Sequence, residues 1–423
     1  MLWITSLIGK MVVFLTRHLG AGHGSALPGL VVEKIYPSFL KKVLASLSDG
    51  VVLISGTNGK TTTTKIVADL LKADGYKVFT NQSGSNYTRG VISAALRQMK
   101  RGKLVADIAV LELDEIYATQ FVDQVRPRYS LLLNVLRDQL DRFGEIDNIA
   151  KMLGYVASHT SRVVVLNEDD PRLAKLGHQD NIKAKIAWFG CSDSASQYYC
   201  CDDDLHSDKK RTMQKMASNQ SVRLIRLESG LASYSLGAKT QEVRLKIFGI
   251  HNALNCAAAL SLVREIEGAQ FNFAQAVDHL GEIKPAYGRG EIITVGEVAV
   301  RLILVKNPSG FQLALDSAAN DPALIAINDA YADGRDVSWL WDVSFKKLAT
   351  SEQNVAVTGE RAEDMAIRLC YDQVSVKWVE PDLALACRRF VNNLTGGDGQ
   401  IFATYTAMLK IRSQLEQMNQ EDR

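Results

Sequence analysis

The run VVLISGTNGKTTTTKIVADLL at residues 51–71 decides the fold. It opens with a short apolar stretch (51–55) that has the composition of a buried strand. A glycine-rich turn comes next, and a helical pattern covers residues 65–75. Glycines let backbone N–H groups face a phosphate, and the N-terminus of a helix favours negative charge. The sequence therefore predicts a phosphate-binding loop between a strand and a helix.

The loop supplies the first set of candidate nucleotide-binding residues: Gly56, Thr57, Asn58, Gly59, Lys60, Thr61 and Thr62. In such loops the lysine neutralises the β- and γ-phosphates and the following hydroxyl ligates Mg²⁺. The strict pattern has a glycine where this chain has Ile54. The alternative is a glycine-rich turn that binds nothing, but the lysine, the threonines and the strand–turn–helix context argue against it.

Further apolar runs alternate with helical patterns along the chain. We predict strands in VFTN (78–81), DIAVLEL (107–113), YSLLLNV (129–135), RVVVLN (162–167) and IAWFG (186–190). Alternation of this kind indicates a parallel, doubly wound α/β sheet. Ligands of such sheets bind beyond the carboxyl ends of the strands.

Carboxylates and amides stand at several of those strand ends. Glu112 ends one strand and is predicted to hold Mg²⁺ together with Thr61, whereas Asp114 and Glu115 have the pattern of solvated loop acids. Two further sets follow later strands: Asn134, Asp138 and Asp141, and then Asn167, Asp169 and Asp170. For the first set a second metal or a nucleotide-associated water stays open beside helix capping. For the second set, capping and turn chemistry explain the residues as well as a ligand-binding role does.

The later chain suggests a second α/β block. Residues 191–245 are predicted as an irregular insertion followed by short antiparallel strands, and 252–268 as a helix. Strands are predicted again at 299–305, 323–329 and 354–359, before a helical tail. We therefore expect three parts: an N-terminal helical arm (1–49), a central nucleotide-binding domain (50–284) and a Rossmann-like C-terminal domain (285–423).

Composition excludes several classes of protein. The 49 basic and 47 acidic residues give a net charge of +2. A protein that binds nucleic acid needs a basic face, so this near balance argues against that class. The hydrophobic and charged fractions, 47% and 23%, are ordinary for a soluble globular protein. None of the six cysteines forms a CxxC pair, so neither a zinc ribbon nor a disulfide scaffold is indicated. A cytoplasmic location is the simplest expectation.

The N-terminus, MLWITSLIGKMVVFLTRHL (1–19), is apolar but interrupted by Lys10. Its uncharged runs are too short for a helix that spans a membrane. The position of Lys10 in the middle of the segment does not fit a secretory signal. Five residues form one apolar helical face: Ile4, Leu7, Ile8, Met11 and Leu15. We expect this face to pack on the protein itself or on a partner, with a peripheral membrane contact as the main alternative.

Together the motifs resemble those of the Mur ligase superfamily. The matching stretches are GTNGKTT (56–62), Glu112, NVLRDQLDRF (134–143), NEDDP (167–171) and GIHNALN (249–255). The resemblance implies ATP and Mg²⁺ as cofactors, a carboxylate activated as an acyl phosphate, and catalytic roles for Lys60 and Glu112. It also implies that Asn252 and Asn255 lie near the adenine, and that Arg289, in GRGE (288–291), opens the C-terminal domain.

Three departures argue against a ligase that acts on a UDP-linked precursor. Gln139 stands where the family has a metal-ligating histidine. The lysine that many members carbamylate falls on Gly154, with Lys151 out of register. Too few residues precede the phosphate loop for the usual UDP-binding domain.

Later segments resemble the MurT family in particular: NQSGSNYTRG (81–90), LVKNPSGFQLAL (304–315), INDAYADGRDVSWLWDVSF (327–345), TGERAEDMAIRL (358–369) and TYTAML (404–409). This resemblance implies amidation of the α-carboxylate of D-glutamate in lipid II, with ammonia from a GatD-type glutamine amidotransferase. Asp336 then matches the residue that completes the partner's Cys–His pair. Without the resemblance, Asp336 is equally well a turn cap.

MurT proteins often carry a four-cysteine zinc ribbon, whereas Cys191, Cys200 and Cys201 lack its spacing even with His206 as a fourth ligand. We therefore expect no zinc. Two alternatives to the amidating subunit remain. One is an amino-acid ligase of the Mur or folylpolyglutamate synthase type, which would lack the 304–345 block. The other is a non-catalytic scaffold, against which the intact Lys60, Thr61 and Glu112 argue.

Overall fold

A computed structural model describes residues 2–18, 27–81, 87–136, 146–192, 221–285, 288–317, 321–349, 354–394 and 397–421. They form two compact units. The first comprises residues up to 136, 146–246 and 251–283, and the second comprises 247–250 and the chain from 284 onward. Among the described helices, none combines the length and the apolar character needed to cross a membrane.

The described helices are, in chain order, α1 (Leu2–His18), α2 (Leu27–Ile35), α3 (Phe39–Leu44), α4 (Lys60–Ala73), α5 (Thr88–Gln98), α6 (Glu115–Gln124), α7 (Ile146–Ser158), α8 (Pro171–Leu176), α9 (Ile250–Glu267), α10 (Phe273–Leu280), α11 (Pro308–Ser317), α12 (Lys346–Ala349), α13 (Ala362–Tyr371), α14 (Leu383–Asn392) and α15 (Tyr405–Glu421). Short 3₁₀ turns cover Gly268–Gln270 and Ser338–Asp342.

The described strands of the first unit are β1 (Gly50–Ser55), β2 (Val78–Thr80), β3 (Met99–Lys100), β4 (Lys103–Leu104), β5 (Ile108–Glu112), β6 (Tyr129–Leu132), β7 (Val163–Asn167), β8 (Lys185–Cys191), β9 (Val222–Glu228), β10 (Leu231–Leu236) and β11 (Lys239–Arg244). Those of the second unit are β12 (Arg289–Val295), β13 (Val298–Leu304), β14 (Ala323–Ala326), β15 (Val355–Thr358), β16 (Val376–Glu380) and β17 (Gly399–Ala403).

The first unit is built on a nine-stranded sheet in the order β11-β10-β9-β8-β7-β6-β1-β5-β2. From the β2 edge as far as β9, neighbouring strands in this order pair in parallel. Strand β10 pairs antiparallel with β9 and with β11. The phosphate-loop strand β1 is central, between β5 and β6. Its residues 52–54 are fully buried because helices cover both faces of a parallel sheet. The antiparallel strands predicted within 191–245 therefore extend the main sheet.

The second unit has a six-stranded sheet in the order β12-β13-β17-β14-β15-β16. Among its described strands, β12 and β13 pair antiparallel and the other neighbours pair in parallel. Side chains alternate between its two faces. On β17, Phe402 packs with Phe311 and Phe345 on one side, while Ile401 belongs to a cluster with Ile411 on the other. Helices therefore cover both faces, as expected of a Rossmann-like domain.

The N-terminal helix departs from one expectation. Helix α1 packs on its own unit, but Ile4, Leu7, Met11 and Leu15 are exposed. Among residues 3–15 of that helix, for which burial is described, the buried ones are small or polar, namely Thr5, Ser6 and Gly9. Four of the five residues of the predicted apolar face therefore point away from the first unit, while Ile8 is half-buried. Packing of this face on a partner stays a prediction.

Candidate active site

The phosphate loop joins β1 to α4 through two glycines in the left-handed region of φ. Gly56 has φ 129° and Gly59 has φ 89°. A Cβ at Gly56 would lie 3.0 Å from the backbone N and O of Asn134, and one at Gly59 would lie 2.7 Å from Oδ1 of Asn255. Both positions therefore require glycine. The loop is curled tightly against two other segments of the first unit.

Asn134 fixes the turn of the loop. Its Oδ1 accepts a hydrogen bond from the backbone N–H of Asn58 at 2.8 Å, and its Nδ2 donates to the Asn58 carbonyl at 3.0 Å. The backbone N–H of Thr57 donates to the Asn134 carbonyl at 3.1 Å. Next to this contact, the Thr57 hydroxyl donates to the Leu136 carbonyl and accepts from the Leu136 N–H. The sequence left a metal, a water or a cap open for Asn134, and its role in the structure is to clamp the loop.

Lys60 opens helix α4 and is buried at the loop. Its Nζ donates to the carbonyl of Gly56 at 2.6 Å and to that of Thr57 at 3.3 Å. The same nitrogen lies 3.2 Å from Asp114 Oδ1 and 3.8 Å from Glu115 Oε2. Two carboxylates thus hold the ammonium in the loop. They were expected to be solvated acids, but Glu115 is buried and both face the lysine.

Thr61 and Glu112 meet beside the lysine. The Thr61 hydroxyl donates to Glu112 Oε1 at 3.2 Å. Strand register brings them together, because Glu112 pairs with Ile54 near the end of β1. The amide of Asn81 holds the Glu112 backbone from the other side, at 2.8 and 3.0 Å. A hydroxyl and a buried carboxylate at one point are hard oxygen donors of the kind that Mg²⁺ prefers, so these residues fit the metal.

The remaining loop residue, Thr62, is buried in the first turn of α4. The backbone of Thr63 makes a helical hydrogen bond to the Gly59 carbonyl at 2.9 Å. The first N–H groups of a helix have no acceptor within the helix, so this end suits an anion.

Asn252 and Asn255 lie in the first turns of α9, where both side chains are buried. Nδ2 of Asn255 donates to Oδ1 of Asn252 at 3.3 Å. Because Asn255 also packs on Gly59, this pair is brought to the phosphate loop from a distant part of the sequence. Their contact with adenine stays a prediction.

The Asn167–Asp170 segment ties neighbouring strand ends together. Asp170 caps α8 by accepting from the N–H groups of Arg172 and Leu173, and it also accepts from Val135 N–H at 2.7 Å. Burial raises the pKa of Asp170 to about 6, although the three backbone donors act in the opposite direction. Asn167 donates to the Leu133 carbonyl at 3.0 Å. Of the two explanations left open, capping and turn chemistry is the one that the geometry supports.

Asp336 lies in the second unit, exposed, just before the 3₁₀ turn Ser338–Asp342. Its Oδ1 accepts from the Ser338 N–H at 2.8 Å. Hydrogen bonds from the Ser338 side chain and backbone lower the pKa of Asp336. The residue is therefore a turn cap, and its carboxylate also faces solvent. Nearby, Trp341 is half exposed and stacks edge-on against Tyr371 at 5.0 Å.

Arg289 is the first residue of β12 in the second unit. The adjoining Glu291 forms a two-point ion pair with Arg412, at 2.9 Å for each contact, and accepts from the Gly288 N–H. The GRGE motif thus anchors the start of this unit to helix α15. A nucleotide contact by Arg289 stays a prediction.

Several predicted positions lie outside the described residues: Asp138, Gln139, Asp141, Cys200, Cys201 and His206. Within the described parts of the chain, no group of three or more His, Cys, Asp or Glu side chains could hold a metal ion. Cys191 is described, and it is a buried free thiol on β8.

Family models match two parts of the chain. The Mur ligase middle domain matches residues 54–263, and the MurT ligase C-terminal domain matches residues 304–408. Between them these models cover the phosphate loop, Glu112, the two asparagines of α9 and Asp336.

Among curated proteins, the chain is 30% identical to subunit MurT of the lipid II isoglutaminyl synthase (glutamine-hydrolyzing) of Staphylococcus aureus, over 88% of this chain and 89% of that protein. It is 28% identical to the subunit of the same name from Streptococcus pneumoniae, over 97% and 96%. Both alignments span most of each chain.

Solved structures share the fold at low identity. MurF ligase from Thermotoga maritima in complex with ADP has a TM-score of 0.69 at 18% identity, over 92% of this chain and 84% of that one. Folylpolyglutamate synthase from Mycobacterium tuberculosis complexed with ADP has a TM-score of 0.65 at 15% identity, over 96% and 99%. At these identities the likeness concerns the fold alone.

Proposed function

The chain belongs to the MurT family of Mur ligases, and we propose that it amidates the α-carboxylate of D-glutamate in the stem peptide of lipid II. The observation that carries this proposal is the meeting of Lys60, Thr61 and Glu112 at the phosphate loop, in a chain that aligns with MurT subunits over most of its length. The loop would bind the phosphoryl donor, ATP. The identity of the acceptor, the α-carboxylate of D-glutamate, is inferred from the family.

The loop residues have defined tasks in this reaction. The α4 N-terminus and Lys60 would bind the phosphates of ATP, and Asn134 would keep the loop in the shape that receives them. Thr61 and Glu112 would hold Mg²⁺, which supplies positive charge to offset that of the phosphates. Asp114 and Glu115 would hold the Lys60 ammonium in place.

The chemistry has two steps. A carboxylate oxygen of D-glutamate attacks the γ-phosphorus of ATP, the bond to the bridging oxygen breaks, and ADP leaves. Ammonia then attacks the carbonyl carbon of the acyl phosphate, the bond from that carbon to the phosphate oxygen breaks, and inorganic phosphate leaves while nitrogen loses one proton. Since ammonia is small, no binding domain for an incoming amino acid is needed. Exclusion of water protects the acyl phosphate between the steps.

A partner would supply the ammonia. We propose a GatD-type glutamine amidotransferase that docks near Asp336 and whose catalytic histidine is oriented by the Asp336 carboxylate. Three features support this position: Asp336 is exposed, its pKa is lowered so that it stays ionised, and Ser338 fixes its direction. The exposed Trp341 and Tyr371 beside it have the amphipathic character of interface residues.

The location follows from the substrates. ATP is a cytoplasmic cofactor and lipid II is membrane-linked, so we propose a cytoplasmic protein that works at the inner face of the cell membrane. A peripheral membrane contact would bring it to the substrate.

The second candidate is an amino-acid ligase, because the match of residues 54–263 to the Mur ligase middle domain fits it as well. One assay separates the two. Purified protein is given ATP, Mg²⁺ and lipid II, and ADP release is measured with ammonium chloride or with a panel of amino acids. We expect release with ammonia in the absence of any partner. Release with an amino acid and none with ammonia would support the ligase instead.

A further inference from the structure

Helix α1 presents a broad apolar face away from the first unit. Six large side chains on it are between 49% and 61% exposed: Trp3, Ile4, Leu7, Met11, Phe14 and Leu15. Single exposed apolar residues are common on protein surfaces, but six on one helix form a patch of the kind that marks an interaction surface.

The opposite side of α1 fixes this orientation. Thr5 and Ser6 are buried against the unit. A Cβ at Gly9 would lie 2.7 Å from Leu96 and 2.8 Å from Val32, so helices α2 and α5 approach the α1 backbone closely at this point. Lys10 adds a hydrogen bond from its Nζ to the Met99 carbonyl at 2.6 Å. Rotating the apolar face inward would break these contacts.

Cations border the apolar face. The tight turn from β3 to β4, taken with the strand residues on either side of it, carries Lys100, Arg101 and Lys103, all exposed. This turn lies next to the start of α1, because a Cβ at Gly102 would lie 3.3 Å from the Cα and Cβ of Trp3. Helix α1 itself contains no acidic residue. The edge of the face near Trp3 is thus positively charged.

We propose that this surface binds a lipid bilayer containing anionic phospholipid, with α1 lying in the plane of the interface. In this arrangement Trp3, Leu7 and Phe14 enter the acyl region, and Lys100, Arg101 and Lys103 face the headgroups. At ~1.5 Å per residue, a 17-residue helix is ~26 Å long, and it is anchored to a folded unit along one side. It fits an interfacial helix.

Charge favours a membrane over another copy of this chain. Two α1 faces packed around a twofold axis would each bring the same cationic turn to the contact, and nothing acidic on α1 would offset it. A bilayer with anionic headgroups offers an apolar layer and a charged layer at the depths that the side chains need.

This inference rests on the proposed function in one respect: membrane binding would hold the protein at the surface that carries its lipid-linked substrate. Its test needs neither substrate nor nucleotide. The full chain is mixed with vesicles of phosphatidylcholine alone, or with about a third phosphatidylglycerol, and the bound fraction is measured by flotation. We expect binding to the anionic vesicles that weakens as salt is raised.

Two variants test the apolar face. Leu7→Glu and Phe14→Glu each place a charge at the proposed acyl depth and should weaken vesicle binding about tenfold or more. The matched control is Leu385→Glu, which changes a similarly exposed leucine on α14 in the second unit and should leave binding unchanged. Circular dichroism and thermal melting of each variant establish that it is folded.

The cationic turn has its own test. Combining Lys100→Glu with Lys103→Glu should reduce binding to anionic vesicles several-fold and leave any weak binding to phosphatidylcholine unchanged. Lys239→Glu combined with Lys246→Glu, two exposed lysines in and just after strand β11, makes the same change in net charge and is the control.

Three results would overturn the proposal: no vesicle binding by the parent chain, equal binding by the folded Leu7→Glu and Phe14→Glu variants, or a dimer in vesicle-free solution that Phe14→Glu dissociates. The last result would assign the face to a second copy. Amidation of a water-soluble lipid II analogue with ammonia is measured in parallel. Failure of that reaction in the parent chain counts against the proposed function alone, and the α1 variants should retain it.

Discussion

Asn134 holds the backbone of Asn58 at two points, accepting from its N–H at 2.8 Å and donating to its carbonyl at 3.0 Å. The contact joins residues 76 positions apart and sets the curvature of the phosphate loop. A planar amide is needed for it, since one atom must accept while the other donates.

Replacing Asn134 should therefore weaken ATP binding without unfolding the first unit. We expect Asn134→Ala to raise the dissociation constant for ATP about tenfold, since two part-buried hydrogen bonds that preorganise the loop are lost. Asn134→Asp should be at least as damaging, because a carboxylate cannot donate to the Asn58 carbonyl. Isothermal titration with ATP measures the change.

The control for that experiment is Asn272→Ala. Asn272 caps α10 by accepting a hydrogen bond from the Gln275 N–H, so its loss should cost about 1 kcal/mol of stability and leave ATP binding unchanged. If both variants lower ATP affinity equally, the clamp is not what positions the loop.

The Thr61 hydroxyl should govern the Mg²⁺ requirement. Thr61→Val removes the oxygen that lies 3.2 Å from Glu112 Oε1 and keeps the shape of the side chain. We expect the Mg²⁺ concentration for half-maximal ADP release to rise at least about tenfold. Thr61→Ser keeps the hydroxyl and should behave like the parent chain. An unchanged Mg²⁺ dependence in Thr61→Val would remove this residue from the metal site.

Glu267, at the end of α9, should make stability depend on pH. Burial, and then the nearby Asp74, raise the pKa of Glu267 to about 7 from 4.5. Between these two pH values the folded state therefore holds a proton that the unfolded chain has released. The resulting contribution to the free energy of unfolding is complete below pH 4.5 and is lost as pH rises through about 7.

Since Glu267 is only partly buried, solvent screening reduces the effect to about 1 kcal/mol. Glu267→Gln cannot lose this proton, so its free energy of unfolding should fall less than that of the parent between acid and neutral pH. Urea unfolding across that range measures it, with the exposed Glu282→Gln as control. Parallel pH profiles for Glu267→Gln and the parent chain would contradict the prediction.

Asp336 should matter only when glutamine is the nitrogen source. With the amidotransferase partner present, we expect Asp336→Asn to reduce glutamine-dependent amidation by about 10³-fold or more, as in triads whose acid is replaced. Ammonia-dependent amidation should stay unchanged, because Asp336 touches neither ATP nor the acyl phosphate in the proposal. Asp364→Asn is the matched control, since it removes a carboxylate paired with Arg361 in the same unit. A parallel loss of both activities would make Asp336 a structural residue instead.

The phosphate loop and the central strands could be predicted from the sequence because their signals are local. A short apolar run, a glycine turn and a helix stand next to one another, and the strands that follow begin and end within a few residues of the predicted bounds. Glu112 could be placed for the same reason, as the end of a buried strand.

Other features depend on contacts distant in sequence. Strand β17 lies in the middle of the second sheet. Its five residues, GQIFA, are too few to show a strand periodicity that would distinguish them from the helical tail predicted there. The contact of Asp114 with Lys60, and the clamp by Asn134, join separate segments that only the folded sheet brings together. The sequence predicts the apolar face of α1, but periodicity alone does not show which side of a helix packs on the rest of the protein.

The central claim is tested most directly by the product itself. Purified protein is incubated with lipid II, ATP, Mg²⁺ and ¹⁵N-ammonium chloride, and tandem mass spectrometry locates the label. We predict ¹⁵N in an amide at the α-carboxyl of D-glutamate, dependent on ATP, and its loss in Lys60→Ala, with Lys65→Ala on the same helix as the active control. Absence of labelled amide in the parent chain, or label at another carboxyl group, would contradict the proposed function.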